Sequence, residues 1–202
     1  MRAVTIEPEE LKRVALHESG HAVMAVIQSI PCHGVFFAYE PTEVLAAGEI
    51  KGKFCVPVSN STPLKKADYL QAAAGAGAER LFFGNYEQVG SRADRVGFNA
   101  TGVPEWEAAV EEAMTILEGK KEKITVIAEL FELIHKHVAI DDWPDRGMDG
   151  STTRFREMMS GEVVRQIVES DGTPEPVARF IEAVQAGGKG LLSLNHPAHS
   201  NS

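Results

Sequence analysis

The stretch His17-Glu18-Ser19-Gly20-His21 constrains this chain more than any other five residues. On a helix, residues four apart lie on one face, so His17 and His21 can point at one metal ion. Glu18 stands a little round the helix from that pair, where its carboxylate reaches a water on the metal rather than the metal itself. Flanking residues supply the helix. Glu7-Pro8-Glu9-Glu10 reads as a helix start, since proline is tolerated at the first positions and acidic side chains favour the first turn. Leu11, Val14, Ala15, Ala22, Ala25 and Val26 continue it at apolar spacings near three and four, up to a stop near Pro31. The plain alternative is a pair of core histidines beside a solvated glutamate, but burying two imidazoles and a carboxylate on one turn without a metal is costly.

Catalytic zinc usually keeps three protein ligands and leaves the fourth position to water, so a third ligand must lie elsewhere. The metzincin pattern H-E-x-x-H-x-x-G-x-x-H is excluded, because Met24 and Ile27 occupy its glycine and third histidine places. Two candidates remain: Glu79 in Ala76-Gly77-Ala78-Glu79-Arg80-Leu81-Phe82-Phe83-Gly84, and Asp94 in Gly90-Ser91-Arg92-Ala93-Asp94.

Three blocks, His17 to His21, Ala74 to Gly84 (AGAGAERLFFG) and Gly90 to Asp94, together resemble the zinc peptidase domain of the membrane-anchored AAA protease FtsH, peptidase family M41. The tract from Ile116-Leu117-Glu118 to Phe131-Glu132-Leu133 is similar to that family's closing helix region, so the resemblance runs from about Leu11 to about His137. It implies zinc as cofactor, His17 and His21 as ligands, Glu18 as general base and Asp94 as the third, aspartate ligand. Glu79 then becomes the acceptor that holds a ligating histidine by its other ring nitrogen, as such sites commonly require.

The departures also carry information. Ser19 replaces the family's usual alanine, a small change on the helix, and Arg80 stands where the family often has a second glutamate. No G-x-x-x-x-G-K-[ST] loop occurs in the 202 residues, so an unfoldase activity is not expected of this chain itself. Asp94 has a local alternative: Ser91-Arg92-Ala93-Asp94 fits S-x-x-D, in which the carboxylate would cap a short helix.

Composition bounds the remainder. At 202 residues and 44% hydrophobic, the chain can bury one substantial core, and its net charge of -9 disfavours nucleic acid and anionic membranes, both of which reward basic patches. No run approaches a membrane span and Met1 to Glu7 lacks a signal-peptide core, which predicts a cytoplasmic protein. Cys32 and Cys55 form no C-x-x-C pair and read as ordinary thiols; Cys32-His33 does not make a second metal site. His135 and His137 face different directions on a helix, and His196 and His199 fall in a polar tail.

The expected fold is α+β, predominantly α-helical, a zincin-type HExxH active-site helix with a small β-sheet. Gly34 to Tyr39 and Ala47 to Val56 read as strands, Thr62 to Phe83 as a helix closed by Gly84, and Pro104 to about Val138 as a helical tract broken near Gly119. Ala46, Ala47, Gly48, Glu49 and Ile50 are the candidate edge strand for a peptide substrate, by analogy with zinc peptidases, against the equal reading of an ordinary sheet edge. Ser151 to Glu169 and Pro174 to Gln185 read as two further helices that cover the core.

The domains expected are residues 1–140 as the FtsH-like zinc peptidase, 141–186 as a helical extension packed on it, and 187–202 as a flexible tail. The function expected is zinc-dependent hydrolysis of peptide bonds in peptides or unfolded proteins, independent of ATP within this chain and open to partnership with a separate ATPase or unfoldase. The oligomeric state is left open by the sequence, and the resemblance allows a homo-oligomer, because the family associates in rings. The competing expectation is a catalytically inactive zinc-binding regulatory or scaffold domain of the same fold. Retention of Glu18 counts against it, since structural zinc needs no base.

Overall fold

The computed structural model describes residues 7–32, 34–40, 51–55, 68–88, 90–137 and 154–185. Among them the chain is predominantly helical, with seven helices and one small sheet. The order is α1 (Pro8–Ile27), β1 (Gly34–Glu40), β2 (Lys51–Cys55), α2 (Tyr69–Phe83), α3 (Arg92–Ala100), α4 (Trp106–Glu118), α5 (Lys121–His137), β3 (Arg154–Ser160), α6 (Gly161–Glu169) and α7 (Glu175–Gln185). Ala46 to Ile50 lie outside the described residues, as do 56–67, in which the start of the second helix was expected at Thr62.

Helix α1 begins where its sequence says, with Pro8 at its first position and Glu9 and Glu10 in the first turn. Its end is a Schellman turn: Ile30 N–H donates to Ala25 O at 2.8 Å and Ser29 N–H to Val26 O at 3.1 Å. Ser29 takes the left-handed conformation, φ 55°, which glycine more often fills there. From Ala15 onward nearly all of α1 is buried, His17, Ser19 and His21 included. Such a helix must be surrounded, and α1 touches α2, α4, α5, α6, β1 and β2.

Close approach to α2 comes from small residues. A Cβ on Gly20 would lie 2.5 Å from Ala78 Cβ and 2.7 Å from Ala74 O, so only glycine lets the two backbones come this near. Of the two glycines inside α2, Gly75 faces the His17 helix and Gly77 does not. A Cβ on Gly77 would instead meet Met114 N at 2.9 Å, on α4, because residues two apart point to different sides of a helix. Gly84 closes α2 as expected, with φ 75° and its N–H on Arg80 O at 2.9 Å.

The sheet has the order β2-β1-β3, with both pairings antiparallel: Phe36 opposite Cys55, and Val35 opposite Met159. This corrects the expectation of one helix from Ser151 to Glu169. Arg154–Ser160 is a strand, and the helix starts only at Gly161, where the Ser160 hydroxyl accepts from Val163 N–H. Arg, Glu and Met are good helix formers, but pairing along β1 supplies the backbone hydrogen bonds that local propensity would have placed in a helix. Met159, Val163, Val164 and Ile167 enter the same core as Ala15, Val23 and Met24. Lys120 Nζ adds a bond to Val168 O at the end of α6, 3.3 Å.

Helix α3, which carries Asp94, buries only Phe98. That ring meets Trp106 edge-on at 5.2 Å, and the Arg95 guanidinium lies 5.5 Å from the Trp106 ring centroid, so the start of α4 holds α3 in place.

Candidate metal centre

His17 and His21, one turn apart on α1, bring their Nε2 atoms to 3.2 Å from each other. Asp94 Oδ2 closes the triangle, 3.0 Å from His17 Nε2 and 3.4 Å from His21 Nε2. Zinc bonds of about 2.0–2.1 Å place tetrahedral donor atoms about 3.3–3.4 Å apart, so these three edges match three corners around one zinc ion.

The opposite ring nitrogens determine which atoms face the centre. His17 Nδ1 donates to Glu79 Oε1 at 2.7 Å and His21 Nδ1 donates to the Gln71 carbonyl at 2.8 Å. With both Nδ1 protons committed outward, neutral imidazoles turn two Nε2 lone pairs and a carboxylate on one point. Such an arrangement demands a cation, either a metal or protons on the rings.

The electrostatics agree. Burial opposes charge on His17, yet hydrogen bonds to Asp94 and Glu79 outweigh it and push the group up to about 10. Burial likewise opposes charge on His21, and Asp94 overcomes it and raises the group. Glu18, half-buried, adds its negative charge to both rings. Burial works to raise Asp94, but His21 and His17 hold it well below the usual carboxylate range. For Glu79 burial is again outweighed, by the hydrogen bonds from His17 and Arg13, and the group is lowered.

Position separates the two carboxylates considered as a third ligand, and the capping role considered for Asp94. Glu79, 2% exposed, bonds the far nitrogen of His17 and so lies outside the donor set. Asp94 does not cap its helix. Ser91, at the N-cap position, makes no side-chain cap hydrogen bond and its hydroxyl is buried without a partner, while the Asp94 carboxylate turns to the histidines. Among the described residues, His17, His21 and Asp94 are the group of His, Cys, Asp and Glu placed to share a metal ion.

The remaining flagged residues lie elsewhere. Ser19 bonds back to Ala15 O at 2.6 Å and stays inside the helix packing. Arg80 pairs with Glu107 and Glu111, tying α2 to α4 away from the centre. Cys32 is half-buried and burial pushes its thiol up, away from reactivity.

Sequence reasoning missed two contributors, the Gln71 carbonyl and Arg13. A spacing of four marks both: Gln71, Gly75 and Glu79 form one stripe on α2, and Arg13, His17 and His21 one stripe on α1. Compared with protein-family models and with curated protein sequences, the chain finds no match.

Proposed function

We propose that the chain is a zinc-dependent metallopeptidase of the zincin type, as its motif resemblance to the FtsH peptidase implies. The observation that carries this reading is the triangle of His17 Nε2, His21 Nε2 and Asp94 Oδ2, with edges of 3.0 to 3.4 Å and Glu18 adjacent on the same turn. Three donors leave a corner open, the arrangement of a catalytic rather than a structural zinc.

His17, His21 and Asp94 would hold the ion, which when bound supplies Lewis acidity toward a carbonyl oxygen and acidifies water toward neutral pH. Glu18 takes a proton from the attacking water and returns it to the departing amine, acting first as general base and then as general acid. Glu79 keeps the Nδ1 proton of His17 in place, so that Nε2 always faces inward. Peptides and unfolded segments are the substrates of this reading, a separate unfoldase would deliver folded ones, and the cytoplasm is the compartment. Among the described residues no helix is long and apolar enough to cross a membrane.

The test pairs metal analysis with turnover. Purified chain saturated with zinc should hold one ion and cleave an unstructured protein such as casein, with loss of both on chelation. Stoichiometric zinc with no cleavage of any peptide would move the assignment to the inactive zinc-binding domain.

A further inference from the structure

We infer that Arg13 is a positioning residue that keeps the two separately delivered halves of the metal centre in register, an inference that rests on the metal reading above. The histidines arrive on α1, whereas Asp94 arrives on α3, beyond the turn that follows α2. Arg13, one turn before His17, bonds to both sides of that division. Its Nη1 donates to Glu79 Oε2 at 2.8 Å and to Asn85 Oδ1 at 3.4 Å, and its Nε lies 3.4 Å from Glu87 Oε1.

Glu79 divides its oxygens accordingly. Oε1 takes the His17 proton, while Oε2 accepts from Arg13 and from the Glu87 backbone N–H at 3.0 Å. The chain of bonds continues toward the third ligand: Ser91 N–H donates to Glu87 O at 3.1 Å, and Arg95 N–H donates to Ser91 O at 3.0 Å, in the first turn of the helix that holds Asp94. One guanidinium therefore fixes, through Oε2, the carboxylate whose Oε1 orients His17, and with it the turn from which Asp94 is launched.

Burial makes the arrangement stringent. The Glu79 side chain is 2% exposed and that of Arg13 17%, so Glu79 without Arg13 loses its cationic partner where water can hardly replace it. A lysine cannot substitute in full, because reaching Glu79, Asn85 and Glu87 together uses the planar fork of donors that only arginine has. Arg13 also lies over the Phe83 ring, 4.3 Å from Cζ to the centroid, a packing role that the test must separate from positioning.

The experiment measures zinc affinity of the full chain by competition with a chromophoric chelator, and the visible absorption of the cobalt(II)-loaded chain, whose bands report coordination geometry. Arg13→Met should weaken zinc binding on the order of tenfold to a hundredfold, the usual loss for an outer partner, and change the cobalt bands. Phe83→Leu, which removes the stacked ring and part of its packing on the core but none of the Arg13 hydrogen bonds, should lower the melting temperature and leave affinity within about twofold of wild type. Arg13→Met with wild-type affinity and spectrum overturns the inference, as does an equal loss of affinity in Phe83→Leu.

If Arg13→Met does not fold, Arg13→Lys decides: a weaker affinity with altered bands supports positioning by the fork, and wild-type behaviour overturns it. A wild-type chain that binds neither zinc nor cobalt removes the centre itself, a failure visible before any variant is made.

Discussion

Gly75 lies directly against the ring of His17: a Cβ at that position would stand 2.3 Å from Nε2 and 2.5 Å from Cδ2 and Cε1. The glycine costs α2 about 1 kcal/mol of helix propensity, yet any side chain there would press into the His17 ring and displace it. Gly75→Ala should therefore set a gain of about 1 kcal/mol in propensity against a loss of about 1–3 kcal/mol to overpacking, with zinc affinity reduced at least about tenfold. Gly119→Ala is the contrast. Among the described residues its Cβ would meet only Ile116 O, at 3.7 Å, and its φ of -66° suits alanine, so a gain of about 0.4–1 kcal/mol is expected. Thermal unfolding of the two variants, with and without zinc, checks both signs.

His17→Ala and His21→Ala each remove one corner of the triangle and should abolish stoichiometric zinc together with turnover. Zinc content after equilibration with a weak chelator is the readout. A variant that keeps full zinc would refute the ligand it removes.

Glu18→Gln keeps the shape of the side chain and removes its capacity to take a proton. Hydrolysis should fall on the order of 10²- to 10⁴-fold while zinc stays bound, because the ligands are untouched. Retained turnover would mean that another group is the base.

The pH dependence follows from competition between protons and zinc for the same nitrogens. In the metal-free chain His17 is raised from 6.5 to about 10, so its protonated form stabilises the fold fully below about pH 6.5, and this contribution is lost as pH rises toward about 10. Asp94 and Glu79, lowered from 3.8 and 4.5, contribute in the opposite sense: their stabilisation is present above those values and is lost as pH falls through the depressed ones. Zinc needs unprotonated Nε2 atoms, so its apparent affinity should climb between pH 6.5 and 10, by up to about tenfold per pH unit for each proton released. The rise in melting temperature on adding zinc should widen over that window. A zinc effect that is flat in pH would contradict a protonated His17 in the metal-free chain.

Ser91→Ala distinguishes the two roles open to Asp94 in the sequence. A capping box would make the substitution cost about 1 kcal/mol. With the hydroxyl buried and unpartnered, the expected outcome is neutral or slightly stabilising, with zinc affinity unchanged. Denaturant unfolding of the variant measures the sign directly.

Much of this centre was legible along the chain. Helix α1 could be drawn from Pro8 and the acidic first turn, and the convergence of His17 and His21 follows from their spacing of four alone. Gly84 likewise announced the end of α2. The interval from Ser151 to Glu169 misled, because Arg, Glu and Met favour a helix while the strand they form at Arg154–Ser160 exists only where β1 is there to pair with it.

By itself, then, the sequence determined the pair of nitrogens and the neighbouring carboxylate of Glu18, since a helix repeats every 3.6 residues and needs no distant partner to align them. Only the tertiary structure decided that Asp94 rather than Glu79 completes the triangle, that Gly77 faces α4, and that Arg13 joins the two halves. Glu79 and Asp94 stand 62 and 77 residues from His17 in the chain. Which of two carboxylates meets which ring nitrogen at such separations depends on how near α2 and α3 approach α1. That distance is set by close packing of Gly20 against Ala74 and Ala78, a contact that no local stretch of sequence contains, while Phe98 against Trp106 fixes α3 to the start of α4.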